Sequence, residues 1–198
     1  RPQPDRFFGL AKLRNEIERA LDVGIHCFNV ESETELQRLA SIAEEKNCIA
    51  PISIRVNPDV DAETHPYIST GLKENKFGIS IDTAIEAYKV AKDLPAINII
   101  GVDCHIGSQL TSTEPFLDAI DRLLQMIDDL AAEGIKLHHL DMGGGLGVTY
   151  DQEQPPLPSD LIAAVKSRFQ DRVLSLLVEP GRSISANAGI FVTKVEYL

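Results

Sequence analysis

The residues of this chain that could carry out chemistry fall where apolar runs end. "FNVES" closes on Glu31 and Ser32, and "ISIRVNP" on Arg55 and Asn57. "GVDCHIGSQ" presents His105 and Ser108, "LDMGGG" presents Asp141 and Gly143–Gly145, and "LLVEPGR" presents Glu179, Pro180, Gly181 and Arg182. A run of glycines gives up side-chain packing and loses backbone entropy on folding. Bare backbone at Gly143–Gly145 therefore suggests N–H groups that must approach an anion such as a phosphate. Arg55 lies within an apolar run, and a cation pointing inward needs an anionic partner. Each piece also has a plainer meaning. The glycines could form only a tight turn, His105 could be a structural histidine, Glu179 could serve a buried donor, and Arg182 could be a surface charge. It is their shared placement that favours a site. Cys104 beside His105 is not read as a catalytic pair, because successive strand side chains point to opposite faces.

Strands and helices alternate along the chain and would position these groups. β-prone apolar runs span Arg6–Leu10, Ile25–Val30, Ile49–Val56, Ile97–Ile106, Leu137–Met142 and Val173–Val178. Most read as apolar on successive residues, as in parallel strands covered on both faces. A helix is expected from about Thr113 to Glu133, with Phe116, Ile120, Leu123, Ile127 and Leu130 on one stripe. Thr111 and Glu114 have the spacing of a capping box, and Pro115 suits a first turn. Ser32 and Glu35 repeat the box before Leu36, Asp82 could cap a helix carrying Ile85 and Tyr88, and Leu161, Val165 and Phe169 mark another. A doubly wound nucleotide fold would require "GGGLG" to open a helix, but "VTYDQEQPPLP" follows. The expected fold is α/β: a TIM (β/α)8-type barrel, here partial, with about six βα units. In such a barrel all the strand ends named above share one rim, and phosphate sites often follow the last two strands.

Composition narrows the partners. Of 198 residues 43% are hydrophobic and 25% charged, which is ordinary globular usage. A net charge of -11 argues against a nucleic-acid or anionic-membrane surface. No apolar run approaches the length of a membrane span. Cys27, Cys48 and Cys104 suit neither a disulfide framework nor a zinc site, so reduced thiols in the cytoplasm are expected.

Several segments together carry a resemblance: "FNVES", "RVNPDVDAETHPYISTGLKENKFGI", "HIGSQL", "LDMGGGLG" and "EPGRS". In order and spacing, over nearly the whole chain, they resemble the diaminopimelate decarboxylases. These belong to a wider class with the ornithine and arginine decarboxylases, whose barrel is similar to that of alanine racemase. The resemblance implies pyridoxal 5'-phosphate as cofactor, an amino acid as substrate, and a homodimer in the full-length form. His105 would stack on the pyridine ring and Glu179 would pair with its nitrogen. Ser108, Gly144, Gly145, Pro180, Gly181 and Arg182 would surround the phosphate, Arg182 would also meet a substrate carboxylate, and Arg55 would lie near the cofactor. Lys76 would be a cross-subunit contact.

The imine-forming lysine of that family lies on the first barrel strand in a "YAxKAN"-like motif, which is not found among these residues. Lys12 matches a different lysine, on the third strand. The chain is therefore expected to start after two barrel strands, to occupy the barrel over 1–188, and to enter a C-terminal β-domain over 189–198. The expected activity of the whole is conversion of meso-2,6-diaminopimelate to L-lysine and carbon dioxide, with this segment inactive alone. A sibling decarboxylase for ornithine, arginine or carboxynorspermidine, and a non-catalytic cofactor-holding barrel, remain as alternatives.

Overall fold

The computed structural model describes residues 6–7, 9, 11–61 and 77–197. Its elements run β1 (Arg6–Phe7), α1 (Arg14–Val23), β2 (Cys27–Val30), α2 (Glu33–Glu45), β3 (Ala50–Asn57), β4 (Ile79–Ser80), α3 (Ile81–Lys92), β5 (Ile97–Asp103), α4 (Glu114–Ala132), β6 (His139–Asp141), α5 (Pro158–Phe169), β7 (Ser175–Leu177) and α6 (Arg182–Ser185). The strand order is β1-β2-β3-β5-β6-β7, with β4 paired to β3, and every pairing is parallel. This is a half-barrel with alternating helices, and β1 and β7 form its two edges.

The helix signals held where an apolar stripe was present. Phe116, Ile120, Leu123, Ile127 and Leu130 are all buried on α4, as are Leu161, Val165 and Phe169 on α5. Ser32 caps α2 by accepting from the Glu35 N–H at 3.2 Å. Two caps differ from expectation. Thr113 rather than Thr111 precedes α4, and Ser80 rather than Asp82 precedes α3, which leaves Asp82 in the first turn. Helix α1 escaped notice because only Ile17 and Ala20 of its ten residues are buried, too few to set a period.

The sheet curls strongly. Arg6 on edge strand β1 forms an ion pair with Asp141 on β6, although β2, β3 and β5 lie between those strands. The rings of His26, beside β2, and His139, on β6, stand 5.3 Å apart. Curling separates the two faces of each strand. Outward positions such as Phe28, Val30, Ile52, Ile54, Val56, Val102, Cys104, Leu140 and Met142 join the helices in one apolar core. The alternate positions are polar: Asn29 and Glu31; Ser53, Arg55 and Asn57; Asp103 and His105; His139 and Asp141. Of the eight buried polar residues among those described, only Lys12 lies outside this series. The strands therefore obey a period of two, not the uninterrupted apolar pattern expected from the sequence.

Gly101 shows how tightly the inner face is filled. It pairs with His139 across the β5–β6 ladder, and a Cβ built on it would lie 2.0 Å from His139 Nε2. Gly101→Ala should lower stability by about 1–3 kcal/mol. Gly189→Ala, where a Cβ meets nothing within 4 Å, should change it by less than about 0.5 kcal/mol. Denaturant midpoints of the two variants check this, and equal midpoints would show that the imidazole can move aside.

Candidate functional site

The loops after β5, β6 and β7 meet at one mouth, and backbone holds them together. The Glu179 N–H donates to the Gly143 carbonyl at 2.8 Å, and the Leu110 N–H to the Gly145 carbonyl at 2.9 Å. Gln109 makes a reciprocal pair with Val148: its Nε2 donates to the carbonyl at 2.6 Å and its Oε1 accepts from the N–H at 3.1 Å. The glycine triplet is needed for this contact. A Cβ on Gly143, Gly144 or Gly145 would fall 2.5, 2.3 or 2.5 Å from the carbonyl oxygens of Cys104, Glu179 and Gly107 respectively. Gly143 and Gly145 also sit at positive φ, 69° and 111°. The bare backbone thus serves first to let neighbouring loops touch. The Gly143 N–H donates to Asp141 Oδ1 at 3.0 Å and the Gly144 N–H to His105 Nδ1 at 3.3 Å. Of the triplet's amides, only that of Gly145 lacks a protein acceptor among the described residues.

Accepting at Nδ1 fixes the His105 imidazole as the tautomer protonated at Nε2. Burial, and then the nearby Arg55 charge, push its pKa below the ordinary value, so the ring is neutral. Cys104, next in sequence, is buried in the outer core, as its strand position requires.

Beneath the rim lies a layer of charge. Arg55 Nη1 donates to Glu31 Oε1 at 2.8 Å, which is the anionic partner its position called for. Oxygens of Asp103, Asp141 and Glu179 lie within 4.8 Å of one another. Asp141 is paired with Arg6, yet burial still holds its pKa above the usual carboxylate range. Asp103, buried and beside Asp141, is pushed well above that range. Burial and the Asp141 charge push Glu179 up to about 7. Its Oε1 is buried without a hydrogen-bond partner, as is Asp103 Oδ1.

On the other side of the mouth Arg182 forms a second cluster. Its Nε and Nη2 donate to Ser108 Oγ at 3.1 and 3.0 Å, and its Nη1 to the Tyr150 hydroxyl at 2.5 Å. Gly181 precedes α6, and Pro180 lies between Glu179 and that turn. The structure thus brings His105, Ser108, Gly144, Gly145, Glu179, Pro180, Gly181, Arg182 and Arg55 to one end of the half-barrel. Lys76 lies outside the described residues. Lys12 is buried with its ammonium donating to Glu35 Oε1 at 2.5 Å and to the carbonyls of Asn29 and Gly9 at 2.7 and 2.8 Å. All three of its protons are engaged, so it is a structural cation. Asp103, Gln109 and Tyr150 had been given no role from the sequence. Asp103 was detectable as a polar residue two positions before His105 on the same face.

A cofactor with an anionic tail and a basic ring nitrogen fits these groups. The unpartnered Glu179 Oε1 can accept from a protonated nitrogen, and the Gly145 amide, Ser108 and Arg182 present donors to an anion. Comparisons with known proteins agree. The chain is 62% identical over 192 residues to a diaminopimelate decarboxylase of Pseudomonas aeruginosa, covering 97% of this chain and 46% of that relative. It is 61% identical to one from Haemophilus influenzae, again over 97% of this chain and 46% of the relative. Among solved structures, diaminopimelate decarboxylase from Helicobacter pylori complexed with L-lysine matches with a TM-score of 0.87 at 43% identity, over 90% of this chain and 45% of that one. The chain thus spans about half the length of the curated relatives it matches. The family described as pyridoxal-dependent decarboxylase, pyridoxal binding domain, matches residues 4–186. The chain belongs to the pyridoxal-dependent decarboxylases, through their pyridoxal-binding domain.

Proposed function

We propose that the protein carrying this chain converts meso-2,6-diaminopimelate to L-lysine and carbon dioxide, with pyridoxal 5'-phosphate as cofactor. The observation that carries the proposal is the pairing of two features at one mouth. One is a buried oxygen of the Glu179 carboxyl without a partner, and the other is a set of donors able to meet an anion: Arg182 and Ser108, which are hydrogen-bonded together, and the Gly145 amide on a loop packed against that of Ser108. The names of the relatives, and the L-lysine in the matched structure, support this substrate over its siblings. A viral arginine decarboxylase structure matches less well, with a TM-score of 0.71 at 26% identity. Cytoplasmic location and a homodimer, with Lys76 at its interface, belong to the same proposal. So does the assignment of 189–198 to a following β-domain; among the described residues no helix is long and apolar enough to cross a membrane.

Bound pyridoxal phosphate supplies an electron sink for the pair left behind when carbon dioxide departs. The residues of this chain would hold and tune it. Ser108, the Gly145 amide, Gly181 and Arg182 would grip the phosphate, which gives orientation rather than chemistry. Glu179 would accept from the ring nitrogen and, once ionised, favour its protonated state. His105, neutral and fixed by the Gly144 amide, would cover the ring face and restrict its tilt. Arg182 would also meet a substrate carboxylate. Lys12 is not assigned as the amine that binds the cofactor, since its protons are all engaged.

With cofactor, the protein carrying this chain should release carbon dioxide from meso-2,6-diaminopimelate with a kcat/KM at least about 100-fold above that for ornithine or arginine. Comparable turnover of all three would instead place it with the sibling enzymes. His105→Ala should lower kcat/KM by about 100-fold through loss of ring positioning.

Glu179 also makes stability depend on pH. Its carboxyl is raised from 4.5 to about 7 in the folded, cofactor-free protein. The folded state therefore holds this proton more tightly than the unfolded one, and the resulting stability is complete below pH 4.5. It is lost as pH rises from there through 7. Urea midpoints between pH 5 and 8 should fall in the cofactor-free protein and fall less in Glu179→Gln. Parallel curves would show that Glu179 is not the group responsible.

A further inference from the structure

The loop after the glycine triplet, "VTYDQEQPPLP", has hydrogen bonds of its own. Glu153 Oε2 accepts from the N–H groups of Tyr150 and Asp151 at 3.0 and 2.8 Å, and the Thr149 hydroxyl donates to the Glu153 carbonyl at 2.9 Å. The Gln109 pair anchors the start of the loop at Val148. Tyr150 is thereby held over the mouth, 60% exposed, with its ring centroid 5.7 Å from Arg182 Cζ.

The hydrogen-bond geometry shows what is kept in place. A guanidinium carries five N–H donors in a rigid plane. The edge formed by Nε and Nη2 faces Ser108, and one Nη1 proton goes to the Tyr150 hydroxyl. One proton on Nη1 and one on Nη2 remain without a protein acceptor among the described residues, and such N–H groups are strong donors to a phosphate or carboxylate. Ser108 Oγ accepts twice from Arg182, so its own hydrogen must be donated elsewhere. The Tyr150 oxygen accepts once, which leaves its hydrogen free to be donated too.

Resting on the cofactor assignment above, we propose that Tyr150 is a positioning residue for Arg182, holding the guanidinium so that its remaining N–H groups are directed to the cofactor's phosphate monoester. The probes are pyridoxal phosphate and pyridoxal, which share the ring and differ only in the phosphate. Their dissociation constants are measured on the protein carrying this chain and on its Tyr150→Phe variant, which keeps the ring beside the guanidinium. The variant should bind pyridoxal phosphate about tenfold more weakly and pyridoxal as before. An equal loss for both ligands, or no loss for either, would overturn the role of Tyr150 while leaving the cofactor assignment intact. If the unaltered protein itself fails to prefer pyridoxal phosphate over pyridoxal, the cofactor assignment falls and the role of Tyr150 with it.

Discussion

Burial of charge on the concave face governs the structure. At one level of the half-barrel, Arg55, Asp103 and Asp141 occupy directly paired positions on β3, β5 and β6. Glu31 and Glu179 join them, and Arg6 reaches across from β1. Four carboxyl groups thus share two guanidinium groups within a desolvated space. An unmatched buried anion is far costlier than a neutral acid, so the excess negative charge is removed by retained protons. Asp103 and Glu179, the two with unpartnered oxygens, are the groups that burial and neighbouring carboxylates push upward. The difference between them is position. Asp103 is enclosed within β5, whereas Glu179 follows β7 at the rim, where a cationic partner can replace its proton.

The rim holds its shape because its loops touch through backbone rather than side chains. A side chain between two loops adds rotamer freedom and tolerance; a carbonyl 2.3 Å from where a Cβ would stand allows neither. The triplet therefore fixes the spacing between the loop bearing His105 and the loop bearing Glu179. The same packing turns the Gly144 amide toward His105 and selects the tautomer of that ring. Anion binding at the triplet is thus narrowed from three amides to one.

Much of this was legible in the sequence. Helices with a continuous apolar stripe, α4 and α5, were found with their buried residues, and the five main runs after β1 became β2, β3, β5, β6 and β7. Helix α1, with two buried residues, and the two-residue β4 were not. The site residues could be located because each closes a strand, but their partners lie far away in sequence. Nothing local to Arg6 indicates Asp141, and nothing local to Tyr150 indicates Arg182. The period of two was present in "SIRVN", "GVDCH" and "HLDMG", and was masked because the outward residues dominate hydropathy.

That period also separates structural polarity from chemical polarity. Among the described residues, the buried side-chain atoms without partners are Asn29 Nδ2, Ser53 Oγ, His139 Nε2, Asp103 Oδ1 and Glu179 Oε1. The first three belong to one lower tier, in which Asn29 pairs with Ser53, Ser53 with Gly101 and Gly101 with His139. They are neutral: Asn and Ser do not titrate, and burial pushes His139 down to about 4. Neutral groups of this kind can be satisfied by water or by one another with no change of charge. The upper tier consists of carboxyl groups, whose charge can change by moving a proton or admitting a cation. The proposed site therefore lies at the C-terminal ends of these strands for an electrostatic reason as well as an architectural one: among the described residues, the inner-face carboxyl groups whose charge can respond to what is bound are gathered there.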